Sequence, residues 1–166
     1  MILGVEGHVY FLSTGSRASW GSLNTSTGLS EGAAPSNLTE MTNVRGDVTI
    51  NDAMRDIDVT VKGAGSVQHD YGLPDWTVTL PLQVDTGNSA YMNVIKAILA
   101  ARANKTPIAI AILSGTKSAI GSFGYWADWI VSQPDKEEPL QDAQMMRVQL
   151  KLAKSTVAPE RVYVSS

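Results

Sequence analysis

"VTVKGAGSVQHDYGLPDWTVTL", Val59 to Leu80, holds Ser66, His69, Asp70 and Asp75 between two apolar-patterned arms. In one reading it is a compact hydrolytic site. In the other it is the tip of a long β-hairpin. A nucleophile–base pair works through hydrogen-bond geometry, with a third group orienting the base, and nearness in sequence does not supply that geometry. No strand–turn–helix elbow presents Ser66. The arms decide the matter. Val59 and Val61 alternate with polar neighbours, and Trp76, Val78, Leu80, Leu82 and Val84 share one face opposite Thr77, Thr79 and Gln83. Period two over such lengths reads as half-buried strands. Pro81 has no N–H to donate, so the second strand is expected to be an edge strand or to bulge there.

Working outward, "DVTIN" and "RDIDVTVKG" continue the alternation. Val48 and Ile50 share one face, as do Ile57, Val59 and Val61. Residues 3 to 12 alternate as well and read as one half-buried strand. "MMRVQLKLAK" sets Met146, Val148, Leu150 and Leu152 opposite Met145, Arg147, Gln149 and Lys151. "PIAIAILSG" is apolar on both faces, as in a strand covered on both sides. The small Ala109 and Ala111 call for a close neighbour, and the helix is the expected one. "GSFGYWADWIV" reads as an aromatic strand opened by glycines.

One segment changes period. In "NSAYMNVIKAILAARAN", Tyr91, Ile95, Ile98, Leu99 and Arg102 stack at helical spacing. Asn88 or Ser89 caps the start, and Asn104 and Pro107 end it. The expected fold is mainly β: an antiparallel β-sandwich or barrel with one flanking α-helix at about residues 88–104, in a single domain spanning 1–166. A long Ser/Thr/Gly-rich loop occupies 13–46. Trp20, Leu23, Leu29 and Leu38 mark it as a loop that docks on something. The tail from about 155 to 166 reads as a last short strand or an arm.

Composition bounds the chemistry. Of the 166 residues, 43% are hydrophobic and 17% charged, enough for a real core and unlike a disordered chain. A formal net charge of −3 argues against gripping nucleic acid through phosphates. The absence of cysteine excludes disulfides, thiol nucleophiles and cysteine-ligated zinc. His8 and His69 stand alone, so no metal cluster forms at the usual offsets. The acids Asp47, Asp52, Asp56 and Asp58 lack the Gly and terminal Glu of a calcium loop and read as an exposed strand face. "KGAGSV" leads into a strand rather than a helix and is no phosphate loop. No signal peptide or membrane-length apolar run is present. No cofactor is expected, and the expectation is a protein that is not an enzyme. A carbohydrate-binding sandwich is an alternative if Trp20, Trp76, Trp126 and Trp129 are exposed platforms.

The order of parts carries a resemblance. "VRGDVTI" and "DIDVTVKG", then "LPDWTVTLPLQVD" leading into "AYMNVIKAILAA", then "GSFGYWADWIVS" and "PLQDAQMMRVQLKL", cover roughly residues 40 to 155. They resemble the major tail tube proteins of phages with long non-contractile tails, a fold shared with type VI secretion tubes. Lys62 departs from the family's frequent Arg. The resemblance implies a structural virion protein, made in the bacterial host cytoplasm, that assembles into stacked hexameric rings around a tape-measure protein. A tail terminator would cap the tube, and DNA would pass through the lumen without specific binding. A terminator or a secretion-tube protein on the same fold is the alternative. On this reading the lumen candidates are Asp47, Thr49, Asp56, Asp58 and Thr60. The subunit or ring contacts are Trp20, Leu23, Leu29, Leu38, Ser66, His69, Asp70 and Tyr71.

Overall fold

The computed structural model describes residues 2–3, 7–12, 15–45, 47–58, 63, 65–66, 69–137 and 144–166; of these, the side chains of residues 2–3, 55–58, 69–72, 133–137 and 144 lie outside the description. In chain order the elements are β1 (Ile2–Leu3), β2 (His8–Leu12), β3 (Ser22–Asn24), β4 (Leu29–Gly32), β5 (Leu38–Glu40), β6 (Val48–Asp58), β7 (His69–Val84), α1 (Ser89–Ala103), β8 (Ile108–Leu113), β9 (Phe123–Glu137), β10 (Gln144–Leu152) and β11 (Glu160–Val164).

β9 organises the sheet because it serves two layers. Its first half pairs β8 on one edge (Ile112↔Tyr125, Ile110↔Ala127) and β11 on the other (Arg161↔Tyr125, Tyr163↔Phe123). Its second half pairs β10, which pairs β7, which pairs β6. The result is an inner layer β6–β7–β10–β9 and an outer layer in which β8 continues to β2 and β5 while β11 continues to β4 and β3. The ladders are antiparallel except β4–β11, which is parallel, so the sheet is mixed; it does not close into a barrel. β8 and β9 approach so closely at Gly124 that a Cβ there would sit 1.8 Å from the Ile112 carbonyl oxygen. Only glycine fits.

The main core lies between the layers. Val48, Ile50, Trp76, Val78, Leu80, Leu82, Val148 and Leu150 enter it from the inner layer, and Val9, Phe11, Ile110 and Ile112 from the outer. These are the alternating positions of the sequence pattern, now buried because period two puts them on one face. Helix α1 seals the core with Val94, Ile95, Ile98 and Ala101. Asn88 caps it, its Oδ1 accepting from the amides of Ala90 and Tyr91 at 3.1 and 3.3 Å.

Three expectations change. The stretch 3–12 is not one strand: β1 pairs β6 and β2 pairs β8. β7 is not an edge strand at Pro81, because it pairs on both sides. The missing N–H instead faces the interruption between the Val44–Leu82 bridge and the start of β6, where the Arg45 amide donates to the Pro81 carbonyl at 2.9 Å. The neighbour of Ala109 and Ala111 is not the helix. Both alanines face a second cluster on the outer side of the outer layer, with Tyr10, Trp20, Leu38, Leu113, Trp126, Val162 and Val164.

That second cluster also corrects the reading of the long loop, and of the two readings of the tail it selects the short strand. The segment 13–46 contains β3, β4 and β5, and the tail supplies β11. The residues before β3 form a strap held down by a buried guanidinium. Arg17, its side chain 1% exposed, bonds Asp128 Oδ2 through Nε and Glu160 Oε1 through Nη1, each at 3.2 Å. It also donates to the carbonyls of Val157 and Ala158 and lies over the Trp126 ring, 5.7 Å from its centroid. The Trp126 indole N–H donates to the Ala18 carbonyl at 2.8 Å, and the Trp20 amide donates to the Glu160 carboxylate.

Removing one partner from such a buried network strands the other charges without water. Arg17→Ala is therefore expected to cost about 3 kcal/mol or more of unfolding free energy, and Trp20→Ala a similar amount through the cavity it leaves. Urea denaturation followed by tryptophan fluorescence checks both; a midpoint unchanged from wild type would show that the strap is not part of the cooperative unit.

Candidate assembly interface

The inner layer has two unlike faces. One is the core. The other carries rows set by the registers: Thr49–Thr79–Gln149, and Asn51–Thr77–Lys151–Ile130. Thr49, Asn51, Arg147, Gln149 and Lys151 are exposed, and Thr77 and Thr79 are half-buried. A sheet face of hydroxyls and amides with two cations, and one exposed isoleucine at Ile130, needs no protein layer over it.

The same layer has open edges among the described residues. β1 covers β6 only at Val48 and Thr49. Beyond that, alternation settles which groups point outward. Gln83 N donates to the Asn43 carbonyl and Arg45 N to the Pro81 carbonyl, so odd-numbered β7 backbone groups face the β6 side. Their register partners Thr49, Asn51 and Ala53 face back toward β7, and Asp52 and Met54 point their backbone groups away from it. On the other flank, β8 pairs β9 only from Gly124 to Trp129, leaving one side of residues 130–137 without a strand. Unpaired edges invite pairing with another chain.

Beside the β6 edge, on the apolar side of the layer, lies a groove of about 500 Å³ lined by Leu23, Met54, Pro74, Trp76, Pro159 and Arg161, among others. Leu23 is 64% exposed, Met54 45%, and Leu73 next to Pro74 78%. Leu73 falls where the β6–β7 register shifts, between the pairs Met54↔Pro74 and Asp56↔Tyr71. Above the groove floor, Asp52 Oδ2 accepts from the Tyr125 hydroxyl at 3.0 Å and from the Arg161 guanidinium, linking the layers.

The sequence-derived candidates divide. Trp20 and Leu38 are buried in their own chain, 0% and 6% exposed, both packed into the second cluster on the outer side of the outer layer. Leu23 is exposed at the groove, Leu29 is half-buried on β4, and Ser66 is exposed. His69, Asp70 and Tyr71 lie on β7 opposite Asp58, Ile57 and Asp56, with side chains outside the described set. Asp47 and Thr49 are exposed. Asp56 and Asp58 belong to β6 without described side chains, and Thr60 lies outside the described residues. All four tryptophans are buried, at most 4% exposed, which removes the sugar-stacking reading. The open edges escaped the sequence because pairing partners are set by topology; of the groove's exposed apolar lining, Leu23 was named from the sequence and Met54 was not. Among the described residues no group of three or more His, Asp or Glu could hold a metal ion, and no helix is long and apolar enough to cross a membrane.

Comparison with solved structures gives the fold its family likeness. The hybrid structure of the SPP1 tail tube matches 97% of this chain and 78% of its own, with a TM-score of 0.63 at 9% identity. The chain has the phage tail tube fold. A chain in the virion of a native gene transfer agent particle matches over 78% of this chain and 92% of its own, with a TM-score of 0.56 at 7% identity. The tail of an empty gene transfer agent particle, refined with C6 symmetry, matches over 72% and 84%, with a TM-score of 0.53 at 8% identity. No family model matches the sequence, and neither does any curated protein. At such identities the likeness is one of fold alone.

Burial, together with the hydrogen bond to Asp52 and its charge, pushes the Tyr125 phenol up to about 12 from 10.0. The folded state thus holds the neutral phenol more tightly than the unfolded chain does. Its contribution to stability is complete below pH 10 and is lost as pH rises toward 12. Tyr10 is raised too, chiefly by burial. Melting temperature should fall across this alkaline window, and Tyr125→Phe should flatten part of the fall; parallel curves for the two proteins would refute the linkage.

Proposed function

We propose that this chain is a structural tail tube subunit: copies join through the open edges of the inner layer into rings, and rings stack into a hollow tube that delivers DNA. The observation that carries the proposal is the inner layer itself, polar on one face, apolar on the other and, among the described residues, unpaired over part of each flank. β6 and β9 run in opposite directions within the layer, so the β6 of one copy beside the β9 of the next continues an antiparallel sheet. This contact is heterologous, the kind that closes into a ring when the rotation permits. The open stretch of β6 lies on the hairpin-tip side of the Asn51–Thr77–Lys151–Ile130 row, and that of β9 on the other side. Joining them staggers neighbours by several residues and tilts the strands, as closed barrels require.

Six copies, as in the C6 gene transfer agent tail, would close six four-stranded layers into one wall. At about 4.8 Å per strand and a tilt of roughly 40°, that wall measures about 48 Å between opposite backbones, wide enough for a DNA duplex after side chains are added. The polar face then lines the lumen. Threonine, asparagine and glutamine offer a wetted surface without a continuous run of cations, which suits passage over retention. Asp47 joins this lining at the start of β6, and Asp56, Asp58 and Thr60 are carried as further lumen candidates on the same hairpin. Ser66 and its neighbours at the tip are carried as ring-to-ring contacts. The reading implies a tape-measure protein inside the tube, a terminator at its end, and residence in the virion after synthesis in the host cytoplasm.

Negative-stain microscopy of the concentrated protein should show tubes; closed rings that never stack would indicate a terminator instead. Met54→Pro removes an edge donor without touching the β7 ladder, and is expected to abolish tubes while leaving the monomer's thermal melt near wild type. The absence of native cysteine makes a second check clean. A cysteine introduced at Thr79 should react in tubes with a small maleimide but not with one attached to a polymer wider than the lumen. Equal labelling by both would place that face outside.

A further inference from the structure

We infer that the groove beside β6 is the seat for helix α1 of the adjacent copy, with Leu99 as its anchor. The inference rests on the edge-to-edge assembly proposed above and names a contact which that assembly leaves open. Six large apolar side chains are exposed among the described residues: Leu23, Met54, Leu73, Leu99, Ile120 and Ile130. Leu23 and Met54 line the groove, and Leu99 stands on α1. One junction would therefore cover three of these six side chains.

The geometry brings the two together. Helix α1 lies on the apolar side of the inner layer, against β7 and β9. At its C-terminal end Arg102 Nη1 donates to the Ser132 carbonyl at 3.4 Å, so this flank borders the stretch of β9 that lacks a partner. Leu99 precedes Arg102 by three residues, which puts both on one flank of the helix. The groove lies on the same apolar side of the layer, at the opposite lateral edge, with Met54 on β6 itself. When β6 of a neighbour is laid against β9, the stagger described above slides the neighbour's Met54 level toward residues 130–137. Its groove then meets the Leu99 flank of α1. Both surfaces are apolar, both sit on the outer side of the joined wall, and each is continuous with the strand edge it accompanies. The occupant is thus a second copy of this chain. The contact makes each subunit's helix a wedge between its own core and its neighbour's groove.

Cross-linking and substitution test this separately from tube formation. Leu99→Cys and Leu23→Cys subunits, made in the cysteine-free background and mixed, should give covalent dimers with a short bis-maleimide in tubes, and none in dilute monomer. Leu99→Asp, which exposes a charge at a site already in water, should keep the wild-type melting temperature yet raise the protein concentration needed for tubes at least tenfold. Tubes in which Leu23→Cys stays freely reactive, or which form from Leu99→Asp at the wild-type concentration, overturn the helix-in-groove contact and leave the tube intact as a proposal. A wild-type protein that forms no tubes at any concentration overturns the tube itself.

Discussion

A strand that has to serve two layers is the constraint on which this molecule turns. β9 is fifteen residues long, and over its first half both edges are taken. Its second half can belong to the inner layer only by leaving β8 behind, and a register shift opposite Gln149 and Leu150 marks the transition. From that departure follow the space that α1 fills, the dry core between the layers and the free flank at residues 130–137. The close approach at Gly124 is the cost of keeping β8 tight against the first half. Among the described residues, the flank at 130–137 is left to water and to Arg102, which donates to the Ser132 carbonyl.

The outer layer solves a different problem. A sheet covered on both faces needs apolar residues at every position, and β8 has them: Ile108, Ile110 and Ile112 toward the main core, Ala109, Ala111 and Leu113 toward the strap. The alanines belong to the cluster that also buries Trp20 and Trp126, where small side chains leave room for the indoles. A buried cation then secures the strap. Its two carboxylate partners come from β9 and β11, so the charge network also fixes where the last strand enters the sheet.

Much of the fold was legible because alternation survives any choice of partners. Trp76, Val78, Leu80 and Leu82 are inward by parity alone, and so are Val148 and Leu150. The helix announced itself through a change of period and an asparagine cap. Trp20 was misjudged for a physical reason. It sits in a stretch with no period, and an isolated tryptophan among serines and glycines has the same sequence signature whether it meets another subunit or its own sheet. What separates the two is Arg17, and nothing local shows that an arginine at 17 will find acids at 128 and 160. The open flanks of β6 and β9 were invisible for a related reason: a strand's pattern states which face is wet, never which edge is bonded. The tail tube fold itself was legible only as an order of parts, which is consistent with single-digit identity to structures of the same shape.

The clamp around Arg17 also has a consequence in time. A ribosome releases residue 17 long before residue 160, and the carbonyls of Val157 and Ala158 arrive later than almost everything else the guanidinium needs. Until then the strap has no counter-charge from β11, Trp126 lacks its cover, and β4 lacks its parallel neighbour. Contacts this distant in sequence are the slowest to form. Completion of the outer layer therefore waits for residues 157–164, whatever has already formed among the strands that precede them.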